Sequence, residues 1–319
     1  MSDPATGRAR AFLRSAAEAG FPEARHDMTF PHGVGFTGAQ ERQSGDIFSR
    51  AILGGLLLDI AQASGDAELR SAALEQADYV ATQKLKDCAG GWSYFPGLPE
   101  LPPDLDSLAA AIALFARIAP QHLALCEEPI QTALALRQPD GSIPSFLIAD
   151  GDDPGRRSAM LRGVQLYWGN TPDADVLARF YSALLLLDRS LHAPLAPLAW
   201  LASQQQPDGS WLVPWYVGPW YGTRLCTELF LAVDPAHPAA VAALQFLRSV
   251  GPGATALDIA FSEGPKDALA GLQEADGSWP PSPWIQMPMG RPTGRVIRTL
   301  RWQSRTLTTA FCLRALLLP

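Results

Sequence analysis

Apolar positions recur at helical spacing through stretches near 66–83, 121–137, 194–206 and 265–273, all rich in Ala and Leu. Each stretch runs into a turn of related sequence. Gln138-Pro-Asp-Gly-Ser-Ile143 recurs as Gln206-Pro-Asp-Gly-Ser-Trp211 and, one residue longer, as Gln273-Glu-Ala-Asp-Gly-Ser-Trp279; the last residues of successive copies are 68 apart. A looser copy upstream joins Gln83 to Gly90-Gly91-Trp92. Past the turns and their Pro/aromatic loops lie second apolar segments, beginning Asp46-Ile-Phe-Ser-Arg-Ala, Asp106-Ser-Leu-Ala-Ala-Ala, Asp175-Val-Leu-Ala-Arg-Phe, Thr223-Arg-Leu-Cys-Thr-Glu and Thr306-Leu-Thr-Thr-Ala-Phe. Being apolar nearly all round, these segments are expected to be inner helices. With a helix near 4–19 and a shorter one near 254–263, the pattern predicts an all-α fold. Six outer and six inner helices would alternate strictly in one α/α toroid domain spanning residues 1–319. No strand-like alternation of useful length is read. The loops at 84–103, 138–172 and 280–303 are long for a compact domain, and all precede inner helices, so they should crowd one mouth of the barrel.

Composition supports a chain that buries a large core: 47% of residues are hydrophobic and 18% charged. The formal charge of −7 argues against a nucleic-acid footprint, although the basic residues are almost all Arg and are unevenly placed. Cys88, Cys126, Cys226 and Cys312 are widely separated, form no CxxC pair and are read as reduced and mostly buried. The first twenty residues lack a signal-peptide apolar run, and no 18-residue apolar stretch is read anywhere, so a cytoplasmic protein is expected, with peripheral membrane contact left open. No P-loop, dinucleotide fingerprint or Gly-x-Ser-x-Gly is present.

The Gln…Asp-Gly-Ser-Trp repeat resembles the QW motif of squalene-hopene cyclases and related class II terpene cyclases, and the similarity covers most of the chain. Pro103-Asp104-Leu105-Asp106-Ser107 before an apolar helix is similar to their Asp-x-Asp-Asp-Thr motif, whose middle Asp is the proton donor. The resemblance therefore implies Asp106 as the acid, with Asp104 beside it, acting on a small-molecule isoprenoid. Those cyclases place their cavity between two toroids, whereas this chain has residues for one. The alternatives are a non-catalytic toroid that binds an apolar ligand or partner protein, and half of a two-toroid assembly. Protein prenyltransferase β subunits share such repeats but bind zinc through Asp, Cys and His. None of His26, His32, His122, His192 and His237 heads an inner helix beside a suitable Cys, so no metal site is assigned.

Protonating an alkene needs a carboxylic acid kept protonated in a dry pocket, and burial or a second carboxylate raises a carboxyl pKa. Helix capping explains the same residues, because Pro-Asp-x-Asp also occurs as Pro172-Asp173-Ala174-Asp175 before the next inner helix. The second ingredient is aromatic faces that stabilise cations. Trp92 and Tyr94, then Trp168, then Trp215, Tyr216, Trp220 and Tyr221 lie on or beside the mouth loops and are the candidate substrate-contacting residues. Trp211 and Trp279, in the turns themselves, are read as packing residues. The third is a run of Arg291, Arg295, Arg298, Arg301 and Arg305, in which Arg295 and Arg298 in particular could bind a prenyl diphosphate. A solvated, ion-paired face is the competing reading. Mg²⁺ could accompany a diphosphate, no residue pattern demands it, and no redox cofactor follows. A glycosidase would use the same carboxylates and aromatics but gives no reason for the repeats.

Overall fold

In the computed structural model, residues 4–30, 42–187, 195–251, 254–294 and 296–318 are described. In chain order the helices are α1 (Pro4–Glu18), α2 (Ile47–Ser64), α3 (Ala67–Thr82), α4 (Leu105–Ile118), α5 (Glu127–Ala135), α6 (Pro154–Gly163), α7 (Ala174–Leu185), α8 (Leu195–Ser203), α9 (Trp220–Val233), α10 (Pro238–Leu247), α11 (Ala256–Phe261), α12 (Asp267–Leu272) and α13 (Arg305–Leu317). Helices α2, α4, α7, α9, α11 and α13 pack one on the next, and α13 returns to α2, closing an inner ring. The outer layer is α1, α3, α5 with the 3₁₀ segment Pro120–Cys126 before it, α8, α10 and α12. The toroid is therefore as expected. Its sixth outer helix, α10, lies where no stretch had been assigned, and α6 is an extra helix within the long 138–172 loop.

Each repeat turn joins three helices. Asp140, Asp208 and Asp276 accept the backbone N–H and the hydroxyl of Ser142, Ser210 and Ser278, at 2.7–3.0 Å. Gly141, Gly209 and Gly277 hold φ of 85°, 90° and 90°. A Cβ there would meet backbone atoms of the next outer helix: Pro197 N at 2.7 Å, Ala242 O at 2.4 Å and Arg8 O at 2.5 Å. The indole N–H groups of Trp211 and Trp279 donate back to the preceding outer helix, to Leu201 O (2.8 Å) and Leu269 O (2.7 Å), and Trp92 does the same to Val80 O (2.8 Å). The structural glutamine of the middle turn is Gln205, not Gln206. Its Nε2 donates to Gly209 O and, across to α10, to Ala239 O; Gln273 donates likewise to Gly277 O and, on α1, to Ala5 O, all at 2.9 Å. Gln206 instead occupies the place of Glu274, and the backbones of both bond alike, to Ser210 O and Gly209 N in one turn and to Ser278 O and Gly277 N in the other.

Two expectations are corrected. The chain does contain strands: β1 (His26–Thr29) pairs antiparallel with β2 (Arg42–Gly45), and β3 (Pro283–Met289) with β4 (Arg298–Gln303), placing Ile285 opposite Trp302 and Met287 opposite Leu300. Pro283 and Pro288 mask the alternation in β3, since proline reads against a strand. In addition, the 18 residues of α2 are long and apolar enough, by length and composition, to cross a membrane. They are apolar because α2 is an inner-ring helix, touched by α3, α4 and α13.

Candidate active site

The inner helices begin at one mouth of the barrel, and the long loops fold over it. Asp104 is the N-cap of α4: it accepts the Ser107 N–H at 2.6 Å and the Ser107 hydroxyl at 2.9 Å. Capping thus describes Asp104 correctly, but incompletely. Burial pushes its carboxyl up to about 7 against the Ser107 hydrogen bonds, and the Asp106 charge adds to the rise.

Asp106, half a turn on, receives the Arg179 Nε on Oδ1 at 2.5 Å and the Tyr216 hydroxyl on Oδ2. Arg179 reaches across from α7. Its Nη2 donates to the Tyr221 hydroxyl, and its guanidinium lies over the rings of Phe48 (5.4 Å) and Tyr221 (5.2 Å). Arg179 and Tyr221 also form the floor of a second cleft, of about 1350 Å³, at the opposite end of the barrel.

The duplicated Pro-Asp-x-Asp heads α7 but is used differently. Asp173 caps no backbone N–H; it accepts the Ser145 hydroxyl (2.8 Å), the Trp215 indole N–H (2.7 Å) and Arg291 Nη2 (2.9 Å). Asp175 is fully buried, and burial, with the charges of Asp173 and Asp106, pushes its carboxyl well above the ordinary range. A neutral buried carboxyl titrates in the unfolded chain near 3.9 but not in the fold until higher pH. The stability it contributes is complete below that value and is lost as pH rises towards the folded pKa. Melting curves of Asp175→Asn and wild type should therefore coincide near pH 4, with the variant's midpoint rising above the wild type's towards pH 8. A gap that does not widen with pH would show that Asp175 is ionised in the fold.

The carboxyls of Asp104 and Asp106 face a cleft of about 540 Å³ between the three mouth loops. Six aromatic side chains wall it: Phe48, Tyr94, Phe146, Trp168, Trp215 and Tyr216. Leu101, Val176, Ile285 and Met287 fill in between them, and Ser145 is the only other polar residue lining it among the described residues. That lining suits a mostly apolar small molecule. The ring of Tyr94 is fixed from behind, its hydroxyl 2.9 Å from Nδ1 of His26, an imidazole that burial pushes down to about 4. Trp168 is fixed by its indole N–H, which donates to Glu100 O at 3.2 Å.

Of the aromatics expected to contact substrate, Tyr94, Trp168, Trp215 and Tyr216 line this cleft. Tyr221 stands one layer behind, its ring 4.6 Å from that of Tyr216. Trp92 and Trp220 do not reach it. Trp92 packs on Phe115 inside the hairpin of α3 and α4, and Trp220 stacks on Phe246 of the outer helix α10 at 4.8 Å. Among the described residues of the arginine run, Arg298 and Arg301 are exposed on β4, Arg305 pairs with Glu274 in a repeat turn, and only Arg291 comes to the cleft wall, over Trp215 at 4.9 Å. Arg295, His32 and His192 lie outside the described residues. Among the described residues no group of His, Cys, Asp and Glu is arranged to hold a metal ion, and all four cysteines are buried free thiols.

Phe48, Phe146, Ile285, Met287 and Arg179 went unnoticed in the sequence. Only Arg179 carries a signal there, as a cation inside an otherwise apolar inner helix.

No family model matches this sequence, and no curated protein matches it. Solved structures do. A protein from Actinoplanes aligns over 98% of this chain and 97% of its own, with TM-score 0.70 and 19% identity. The type II terpene cyclase MstE from Scytonema aligns over 98% and 96%, with TM-score 0.67 and 18% identity. The chain has the fold of the class II terpene cyclases. An ent-copalyl diphosphate synthase from Streptomyces platensis matches 85% of this chain with half of its own, at TM-score 0.52 and 18% identity. One MstE structure holds geranylgeranyl dihydroxybenzoate as substrate and another merosterolic acid A as product.

Proposed function

We propose that the protein is a class II-type terpene cyclase that protonates and cyclises a linear prenyl chain, with the Asp104–Asp106 pair as its acid. The observation that carries this reading is the pairing of two carboxyls, one pushed up to about 7, with a cleft otherwise walled by aromatic and aliphatic side chains. An alkene has no basic atom and is protonated only by an acid that is still protonated when the chain arrives. Burial pushes the Asp104 carboxyl up to about 7, so below that pH this member of the pair still carries a proton.

When that proton moves to the terminal double bond, the π electrons form the new C–H bond and the other carbon becomes a cation. The departing charge is left on oxygens already held by Arg179, Tyr216 and Ser107. The aromatic faces stabilise the cation as successive double bonds close rings. Loss of a proton at the end makes the reaction a net isomerisation.

In this reading residues 1–319 form a single toroid domain that works without a second toroid; the cleft lining among the described residues supports it. The head group is an aromatic acid, as in the substrate of MstE, or a diphosphate, which Mg²⁺ would accompany.

The test is incubation of purified protein with farnesyl and geranylgeranyl diphosphates, geranylgeranyl dihydroxybenzoate and squalene, with and without Mg²⁺, followed by mass spectrometry. Cyclic product is expected from at least one prenyl chain, at a rate that falls as pH rises through about 7, where Asp104 loses its proton. No cyclic product from any of them would overturn the reading.

A further inference from the structure

The cyclisation leaves one buried carboxyl at the site without a task. Asp175 is fully buried, and neither of its oxygens has a hydrogen-bond partner among the described residues. Its own N–H and that of Val176 lie nearby, but not in hydrogen-bond geometry. A buried polar group left in this state costs stability and calls for a reason.

Arg179 supplies one. It follows Asp175 by four residues in α7, the spacing at which Asp and Arg on one helix face pair. Yet Arg179 reaches to the neighbouring inner helix α4 and binds Asp106 at 2.5 Å. One guanidinium thus has two carboxyls to choose from, one on the neighbouring helix and one on its own. The other titratable groups facing Asp175 are Asp106 from α4, Asp173 at the start of α7, Tyr216 from the loop before α9, and Cys226 of α9. Burial keeps the Cys226 thiol and the Tyr216 phenol protonated. None of them offers a competing cation.

Resting on the cyclase reading, we propose that Asp175 is the proton reserve of the site. It holds a proton while Arg179 is bound to Asp106, and after turnover passes it to Asp106 as Arg179 turns to the Asp175 carboxylate on its own helix. One O–H bond breaks on Asp175 and one forms on Asp106. Nothing is oxidised or reduced, and the summed charge of Asp106, Arg179 and Asp175 is unchanged. The proton that the last cation gives up passes to water, and from the solvent it returns to Asp175 once product has left. Asp175 acts through Asp106 and is a positioning residue, not one that touches substrate.

The test compares Asp175→Asn with wild type, first with enzyme in excess over a prenyl substrate that wild type cyclises, then in the steady state. The reserve predicts a single-turnover rate within about 3-fold of wild type, kcat lower by about 10-fold or more and KM unchanged. Infrared spectra at neutral pH should show a carboxylic-acid C=O band in wild type that Asp175→Asn lacks. Equal losses in both kinetic regimes would mark a merely structural role and overturn the proposal, as would an unchanged kcat or an unchanged band. A wild type that makes no cyclic product overturns the cyclase reading itself. Activity in wild type with full kcat in the variant removes only the reserve.

Discussion

Asp106→Asn is expected to lower cyclisation by at least about 10³-fold, because general-acid transfer is the step that starts the reaction and Asp104 acts only together with Asp106. The substitution has a structural cost that must be separated from the chemical one. It leaves the Arg179 guanidinium, which is 11% exposed, without its carboxylate, and breaking a buried pair from one side costs about 3–5 kcal/mol. Removing both charges avoids this. Asp106→Asn combined with Arg179→Met should recover most of the lost stability and none of the activity. Asp104→Asn completes the set, since Asn caps a helix about as well as Asp and can still accept the Ser107 N–H. If Asp104 were only a cap, that variant would keep both its melting temperature and its rate; as half of the acid, it should keep the first and lose the second. More than a tenth of wild-type activity in Asp106→Asn would move the acid elsewhere, and Asp175 would be the next carboxyl to test.

The toroid was legible because its determinants are local. An Asp-Gly-Ser turn closes on itself, and the glycine requirement and the helical periodicity on either side are short-range properties. The exact glutamine was not legible, because Gln205 and Gln206 differ only in which one reaches a helix more than thirty residues away. The strand pair over the mouth was hidden by Pro283 and Pro288, which still take places in the two-stranded ribbon, with a register shift between Pro283 and Ile285.

The cleft was readable only in part. Tyr94, Trp168, Trp215 and Tyr216 line the cleft, but a loop sequence does not say which way a ring turns, and Trp92 and Trp220 turn into helix packing. Phe48 and Phe146 line the cleft yet look in the sequence like any other core residue. The arginine run shows the opposite failure. Its members are close in sequence, but a strand, a turn and the cleft wall send Arg298, Arg305 and Arg291 to different environments. The two Pro-Asp-x-Asp copies look alike because both start inner helices, and they differ only through partners from other elements: Arg179 and Tyr216 for Asp106, Arg291 and Trp215 for Asp173.

Among substitutions in the repeat turns the largest effect on stability should come from Trp279→Ala, at about 3–5 kcal/mol, measured as the shift of a urea unfolding midpoint. Trp279 is fully buried, and the substitution removes its packing and its indole bond to Leu269 O. Position matters as well as volume. The turn of residues 273–279 is the one that reaches α1, through Gln273 to Ala5 O and through Gly277 against Arg8, so it ties the last hairpin of the chain to the first helix. Loosening it should open the outer ring where its two ends meet. Limited proteolysis of the variant should cut first near α1. Gly277→Ala tests the same joint without touching the core, since φ of 90° and a Cβ 2.5 Å from the Arg8 carbonyl leave no room for a side chain. Ile143 provides the control: it ends a turn of the same shape with no indole and no bond to an outer helix to lose. Ile143→Ala should cost about 2–4 kcal/mol, all of it packing. If Trp279→Ala proves no more harmful than Ile143→Ala, and the cleavage pattern is unchanged, the turn fills space and does not close the ring.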